Sequence, residues 1–205
     1  MTKIHQFLTK TKRPGVKVER IYRVLLDLPF EKRTNYRIAK DADADYHWTI
    51  DKLKELKELG IIEGSKVIRP EDLFTIWADR PNPTLYREYH IQGPMEVVTK
   101  ANMDFALTTY YAEQLVGNYL FPSKFDLYIY GGDANKWHQY LSMNGYVGKG
   151  NVRILLGDEH VFWHINSKTK PSTVCIQQLI VDLLREGGVC TEAAELLMER
   201  FYGKD

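Results

Sequence analysis

Hydrophobic positions in the first sixty residues recur with a helical period and are interrupted by turn signals. The apolar spacing over residues 16–28 predicts a helix, which Pro29 ends. Thr34 is a favourable N-cap for a short helix over residues 35–40. After an aspartate-rich turn, a stripe of isoleucine and leucine predicts a longer helix over residues 46–59.

The longer helix runs into a predicted hairpin. Gly60 suits the position after a helix end, and the apolar pairs at 61–62 and 67–68 flank a four-residue turn. A further short helix is predicted over residues 73–78. This order, with leucines leading into Leu-Gly-Ile-Ile, resembles the winged helix-turn-helix family. The resemblance implies that the helix over 46–59 packs one face on the first two helices and offers the other to a DNA major groove.

Prolines and charges at residues 79–83 predict a linker, and the pattern changes beyond it. We therefore expect an α+β protein with a winged helix-turn-helix domain over residues 1–78, a linker and lead-in over 79–100, and a mixed α/β domain over 101–205. In the last of these, the pattern predicts helices over 101–117, 134–143, 173–186 and 191–202. It also predicts strands over 125–130, 152–156 and 160–165, with the last two paired.

Charge is distributed unevenly along the chain, although the net charge is only +1. Residues 1–40 carry eleven Lys or Arg against three Asp or Glu, whereas residues 41–78 carry five against nine. A basic lobe favours binding to a polyanion, because neutralising phosphates releases condensed counterions. A solvated basic face without a partner explains the charge equally well.

Two groups of residues are candidates for contact with double-stranded DNA. Phosphate contacts are predicted for Arg33, Thr34, Arg37, Lys40, Lys66 and Arg69. Groove contacts, which usually come from the first turns of a recognition helix, are predicted for Tyr46, His47, Trp48, Thr49 and Lys52.

Some of these candidates have a second explanation. Thr34 is first a helix cap, and packing against the hairpin accounts for Trp48 as well as a base contact does. The carboxylates of Asp45, Asp51, Glu55 and Glu58 would repel phosphate if all of them faced DNA. Those from Glu55 onward escape this objection if they lie beyond the groove. A winged helix that binds protein is the alternative.

The sequence Gly117-Asn118, followed after a spacer by Asp126-Leu127-Tyr128, resembles the nucleotidyltransferase pattern. In that pattern a Gly-Ser turn holds the triphosphate, and two carboxylates one residue apart bind Mg²⁺. Here Tyr128 replaces the second carboxylate, so we predict a degenerate domain with no catalysis, cofactor or metal. The competing hypothesis is an enzyme with unusual ligands at Asp126, Asp133 or Asp158.

Three segments resemble the AbiEi-type antitoxin family of type IV toxin–antitoxin systems. They are Ala-Leu-Thr-Thr-Tyr-Tyr-Ala at 106–112, the stretch over residues 171–184 that contains Asp182-Leu183, and Glu-Ala-Ala-Glu-Leu-Leu at 192–197. Thr109 stands where a glycine is usual. Ordinary helix packing would also produce the apolar positions of these segments.

The antitoxin resemblance implies a transcriptional regulator rather than an enzyme. It implies repression of the protein's own promoter and opposition to a nucleotidyltransferase-like toxin without a stable complex. Winged-helix repressors often bind DNA as dimers, so a homodimer on DNA is one option.

The cysteines, the apolar runs and the aromatic residues bear on the cellular compartment and on possible ligands. Cys175 and Cys190 have apolar neighbours, which predicts buried thiols in a reduced cytoplasm. No apolar run reaches the roughly 20 residues of a membrane helix, and residues 1–13 lack the apolar region of a secretory signal. A third hypothesis is a ligand-sensing regulator with an aromatic pocket, although an aromatic core is the commoner explanation. The aromatic residues concerned are Tyr128, Tyr130, Trp137, Tyr140 and Trp163.

Overall fold

The structure is a computed structural model that describes residues 15–203. These residues form two compact units. The helical unit comprises residues 15–81 and 198–203, and the sheet unit comprises residues 82–197. Within the described residues, none of the helices has the length and apolar character needed to cross a membrane.

The helical unit follows the predicted order of elements. Its elements are α1 (Val16–Asp27), α2 (Asn35–Asp41), α3 (Tyr46–Glu58), β1 (Ile62–Glu63), β2 (Lys66–Val67) and α4 (Pro70–Ala78). The predicted bounds of the first three helices are confirmed to within one residue. α4 begins three residues earlier than predicted, because Pro70 is well suited to the first position of a helix.

Local capping fixes the starts of α2 and α3. The Thr34 hydroxyl accepts the backbone N–H of Arg37, and the Asp45 carboxylate accepts the backbone N–H of Trp48. The core of the unit is built from fully or almost fully buried side chains of all four helices: Ile21, Leu25, Ile38, Leu53, Leu56, Leu73, Phe74 and Trp77.

The sheet unit contains a mixed five-stranded sheet with helices packed against it. Its elements are β3 (Thr84–Ile91), α5 (Pro94–Lys100), β4 (Ala106–Thr108), α6 (Thr109–Val116), β5 (Phe125–Ile129), α7 (Ala134–Met143), β6 (Gly145–Val147), β7 (Val152–Leu156), α8 (Ile176–Glu186) and α9 (Val189–Tyr202), whose residues from 198 onward belong to the helical unit. The strand order is β4-β5-β7-β3-β6, in which only the β5–β7 pair is parallel. Cys175 and Cys190 are buried free thiols, as predicted.

Two predictions for this unit are wrong. Residues 101–117 are not one helix, because residues 106–108 pair with β5 as strand β4 before α6 begins at Thr109. Residues 160–165 do not form a strand beside β7, since Glu159–Phe162 is a 3-10 turn. The antiparallel partner of β7 is β3, which lies in the segment predicted to be a lead-in.

Candidate functional site

The structure places most of the predicted DNA-contacting residues on the surface of the helical unit. The exposed members are Thr34, Arg37, Lys40, Tyr46, His47, Lys66 and Arg69, while Trp48 and Lys52 are partly buried. They belong to three neighbouring pieces of chain: α2 with its cap, the first turns of α3, and the hairpin with the residue after it.

The hairpin is held against the loop that leads into α2. The Ser65 hydroxyl accepts the backbone N–H of Arg33 at 2.7 Å, and the Val67 N–H donates to the Pro29 carbonyl at 2.7 Å. Lys66, which lies between these two anchors, is therefore fixed close to the start of α2.

Some of the cations on this surface form ion pairs and others do not. Arg37 pairs with Asp41 at 2.7 Å, Lys52 pairs with Glu55 at 2.7 Å, and Arg69 pairs with Asp72. Exposed pairs of this kind contribute about 0–1 kcal/mol each, so a phosphate can compete for these cations. Neither Lys40 nor Lys66 has an ion pair with any residue between 15 and 203.

Arg33 has a structural role instead of the predicted phosphate contact. Its guanidinium donates to the carbonyls of Val24 at 2.8 Å and Leu25 at 3.1 Å, at the end of α1. The last carbonyls of a helix lack partners within the helix, and a cation there also complements the helix dipole. Burial lowers the pKa of Arg33, and Asp27 opposes that shift.

Thr49 is also removed from the predicted interface. Its side chain is fully buried, and its hydroxyl donates to the Asp45 carbonyl at 2.7 Å. The residue sits on the face of α3 that packs into the unit, so it has no atom to offer a groove.

Some of the basic side chains near the start of the chain interact with other residues of the helical unit. Lys17 and Arg20 both pair with Asp43, and the buried Arg23 guanidinium lies 5.2 Å from the centre of the Trp77 ring. Beyond its first turn, the exposed face of α3 carries an acidic stripe, which we define as Asp51, Glu55 and Glu58. The surface suited to phosphate is therefore narrower than the charge count predicts.

In the sheet unit, the loop that resembles a triphosphate-binding turn is already filled by one glutamate. The Glu113 carbonyl accepts the N–H groups of Gly117 and Asn118, and its buried carboxylate accepts those of Tyr119 and Leu120. A Cβ placed on Gly117 would lie 2.1 Å from the Glu113 Oε1. All four donors of residues 117–120 are thus directed inward to Glu113.

Asp126, the candidate metal ligand, is a buried counterion. It is fully buried and accepts from the Thr109 hydroxyl and from two nitrogens of Arg153, with Nε to Oδ1 at 2.5 Å. Arg153 also reaches Glu186 at 2.9 Å. Burial raises the pKa of Glu186, but Arg153 and Lys124 outweigh that effect and hold it below its usual value. Across residues 15–203, no group of three His, Cys, Asp or Glu side chains is arranged to hold a metal ion.

Tyr128, which stands where a second carboxylate was sought, belongs to a second buried cluster. Its hydroxyl donates to Asp182 at 3.1 Å, alongside Thr108 at 2.7 Å and Gln178 at 2.8 Å. Burial raises the pKa of Asp182, and the Arg185 guanidinium opposes this. Gln178 and Asp182 within a mostly apolar helix were the sequence signal for this cluster, because buried polar groups require partners.

Thr109 follows Thr108 in the chain, bonds to Asp126 and has a left-handed backbone, with φ +50°. This conformation favours glycine, which has no Cβ. The left-handed conformation costs a residue with a Cβ about 1–2 kcal/mol. Folded proteins tolerate this strain where the surrounding contacts hold the residue in place. Here the hydroxyl bond to Asp126 supplies that hold.

Two substitutions separate this backbone strain from the hydroxyl contact. Thr109→Gly and Thr109→Ala both remove the hydroxyl, but only glycine relaxes the left-handed backbone. We expect the glycine variant to be more stable than the alanine variant by about 1–2 kcal/mol in urea unfolding. The usual preference is for alanine, so an alanine variant of equal or greater stability would contradict this assignment.

A pocket of about 210 Å³ opens beside these clusters, within the sheet unit. Its lining residues come from the start of β3, from β7, from α8 and from the β4–α6 junction: Asn82, Pro83, Leu85, Thr109, Arg153, Leu155, Asp182, Arg185 and Glu186. The aromatic residues predicted to suit a pocket do not line it. Trp137 is buried edge-on to Phe105, and Tyr130 stacks on Phe162.

Comparison with known proteins gives no relative from which a role can be transferred. No family model, curated protein or solved structure matches the chain.

Proposed function

We propose that the protein is a DNA-binding transcriptional regulator and that its helical unit is a winged helix-turn-helix. The observation that carries the proposal is the exposure of cations on α2 and on the hairpin anchored beside its start, together with the exposed first turn of α3. Helix-turn-helix proteins place the start of the second helix at base edges, while flanking cations hold phosphates.

The proposed interface divides the work between phosphates and bases. Arg37, Lys40, Lys66 and Arg69 contact phosphates, because their charged ends are exposed and at most weakly paired. Tyr46 and His47 approach the groove, since both side chains are exposed at the start of α3. The acidic stripe follows later in the helix and lies beyond the groove in this arrangement.

For the whole protein we propose the role of antitoxin and autorepressor of a type IV system. It acts in the cytoplasm on its own promoter and opposes a nucleotidyltransferase-like toxin without a stable complex. The support is the resemblance of the three segments, together with the occupied loop at Glu113 and the paired Asp126, which favour a regulator over an enzyme. Co-expression with such a toxin should restore growth, and a stoichiometric complex in a pull-down would overturn the indirect mode of action.

A winged helix that binds protein is the second candidate function. The acidic stripe on α3 favours it, because three exposed carboxylates along one helix face suit a basic partner better than a phosphate backbone.

A pair of lysine substitutions distinguishes the two candidates. Lys66→Ala removes a cation held beside α2, whereas Lys57→Ala removes an exposed cation from the last turn of α3. We expect Lys66→Ala to weaken binding to the protein's upstream DNA about fivefold or more, as the loss of a charge-assisted contact does. We expect Lys57→Ala to leave the affinity within a factor of about two. Equal effects of the two substitutions in fluorescence anisotropy would remove the hairpin from the interface.

A further inference from the structure

The pocket in the sheet unit is lined by apolar and by charged side chains, which we call its apolar side and its charged wall. Pro83, Leu85 and Leu155 form the apolar side, while Arg153, Arg185 and Glu186 form the charged wall. Its volume of about 210 Å³ suits a small molecule rather than a peptide or a nucleic acid strand.

The arginine side chains of the charged wall are largely buried. The Arg185 side chain is only 5% exposed, and Arg153 is 17% exposed. Buried ion pairs seldom add stability compared with apolar side chains of similar volume. Ionised groups concentrated at the wall of a pocket are therefore better explained by a ligand than by stability.

The available hydrogen-bonding group on this wall is a donor. Arg153 uses Nε and one terminal nitrogen on Asp126 and Glu186. Its other terminal nitrogen, Nη1, has no acceptor among the residues that the structure describes. Asp126 and Glu186, by contrast, each already accept three hydrogen bonds.

The charged groups around the pocket are balanced in number. Arg153, Arg185 and Lys124 face the carboxyl groups of Asp126, Asp182 and Glu186. The preference for an anion therefore rests on the available donor, Arg153 Nη1.

We propose that this pocket binds a small organic anion. Its carboxylate or phosphate group accepts from Arg153 Nη1, and its apolar body lies against Leu85 and Leu155. This site is separate from the DNA-binding surface that we propose for the helical unit, and it does not depend on that proposal.

The test is a calorimetric titration of the full chain with benzoate, phenyl phosphate and benzamide. Benzamide is the uncharged match for benzoate. We expect at least one anion to bind saturably with a Kd of about 1 mM or tighter. We expect benzamide to bind at least about tenfold more weakly than benzoate if the carboxylate is preferred. If phenyl phosphate binds more tightly than benzoate, the natural ligand carries a phosphate group rather than a carboxylate.

A matched pair of tryptophan substitutions locates the binding. Leu85→Trp fills the pocket from a half-exposed position without touching the ion pairs, and Met143→Trp adds the same side chain at an exposed site outside the lining. We expect Leu85→Trp to weaken binding about tenfold or more and Met143→Trp to leave it unchanged, with equal unfolding midpoints. The proposal is overturned if neither anion binds saturably, if benzamide binds as tightly as both anions, or if Leu85→Trp keeps the wild-type affinity.

Discussion

Asp126→Ala is expected to destabilise the protein by about 3–5 kcal/mol, because it leaves the largely buried Arg153 guanidinium without its main counterion. Asp126 is fully buried and accepts three hydrogen bonds, all of which the substitution removes. Urea unfolding followed by circular dichroism measures the loss.

Asp133→Ala is the matched control. Asp133 was also a candidate metal ligand, but it pairs with the exposed Lys136 at 2.8 Å on the surface. Removing a surface pair should cost about 0–1 kcal/mol. Similar losses at the two aspartates would mean that Asp126 is not the structural counterion that we describe.

Glu113→Ala is expected to cost about 2–4 kcal/mol, since it leaves the backbone N–H groups of Tyr119 and Leu120 without an acceptor. The same change frees these donors of the loop that resembles a triphosphate-binding turn. The free energy of unfolding in urea is again the quantity to measure, and Glu113→Gln should retain part of it because its amide oxygen still accepts.

Glu192→Ala provides the comparison for Glu113. Glu192 is exposed and accepts one hydrogen bond, from the Tyr119 hydroxyl at 2.7 Å. We expect a loss within about 1 kcal/mol. If Glu113→Ala lowered the free energy of unfolding no more than this surface substitution does, Glu113 would not be the group that holds the N–H donors of this loop.

The helical unit was predictable because its signals are local. Thr34 and Asp45 cap helices within three residues of themselves, Pro29 ends a helical pattern, and Gly60 has the left-handed backbone expected after a helix. Each of these signals acts within one turn of chain, so the sequence pattern alone places the element ends.

The sheet unit was less predictable because distant pairing defines it. Thr84 of β3 pairs with Leu156 of β7, across more than seventy residues of chain. Residues 106–108 carry no alternation that would separate three residues of strand from the helix that follows them. Tertiary pairing overrode the local helical preference of this segment.

The candidate sites also combine features that the local sequence predicts with features that depend on the fold. Exposure of Lys40 and Lys66 agreed with their polar surroundings in the sequence, but the roles of Arg33 and Thr49 depend on which carbonyls lie beside them. The pocket required the fold, because Arg153 and Arg185 meet only when β7 and α8 are packed in one unit.

The most direct test of the proposed function is the salt dependence of binding to the protein's own upstream duplex DNA. Four candidate phosphate contacts, from Arg37, Lys40, Lys66 and Arg69, predict a slope of about −3 to −4 in a plot of log K against log salt concentration. Fluorescence anisotropy between about 50 and 200 mM salt covers the useful range. A slope near this value supports a phosphate-facing surface on the helical unit. No binding at the lowest salt, or binding that salt leaves unchanged, would contradict the DNA-binding role and favour a protein partner.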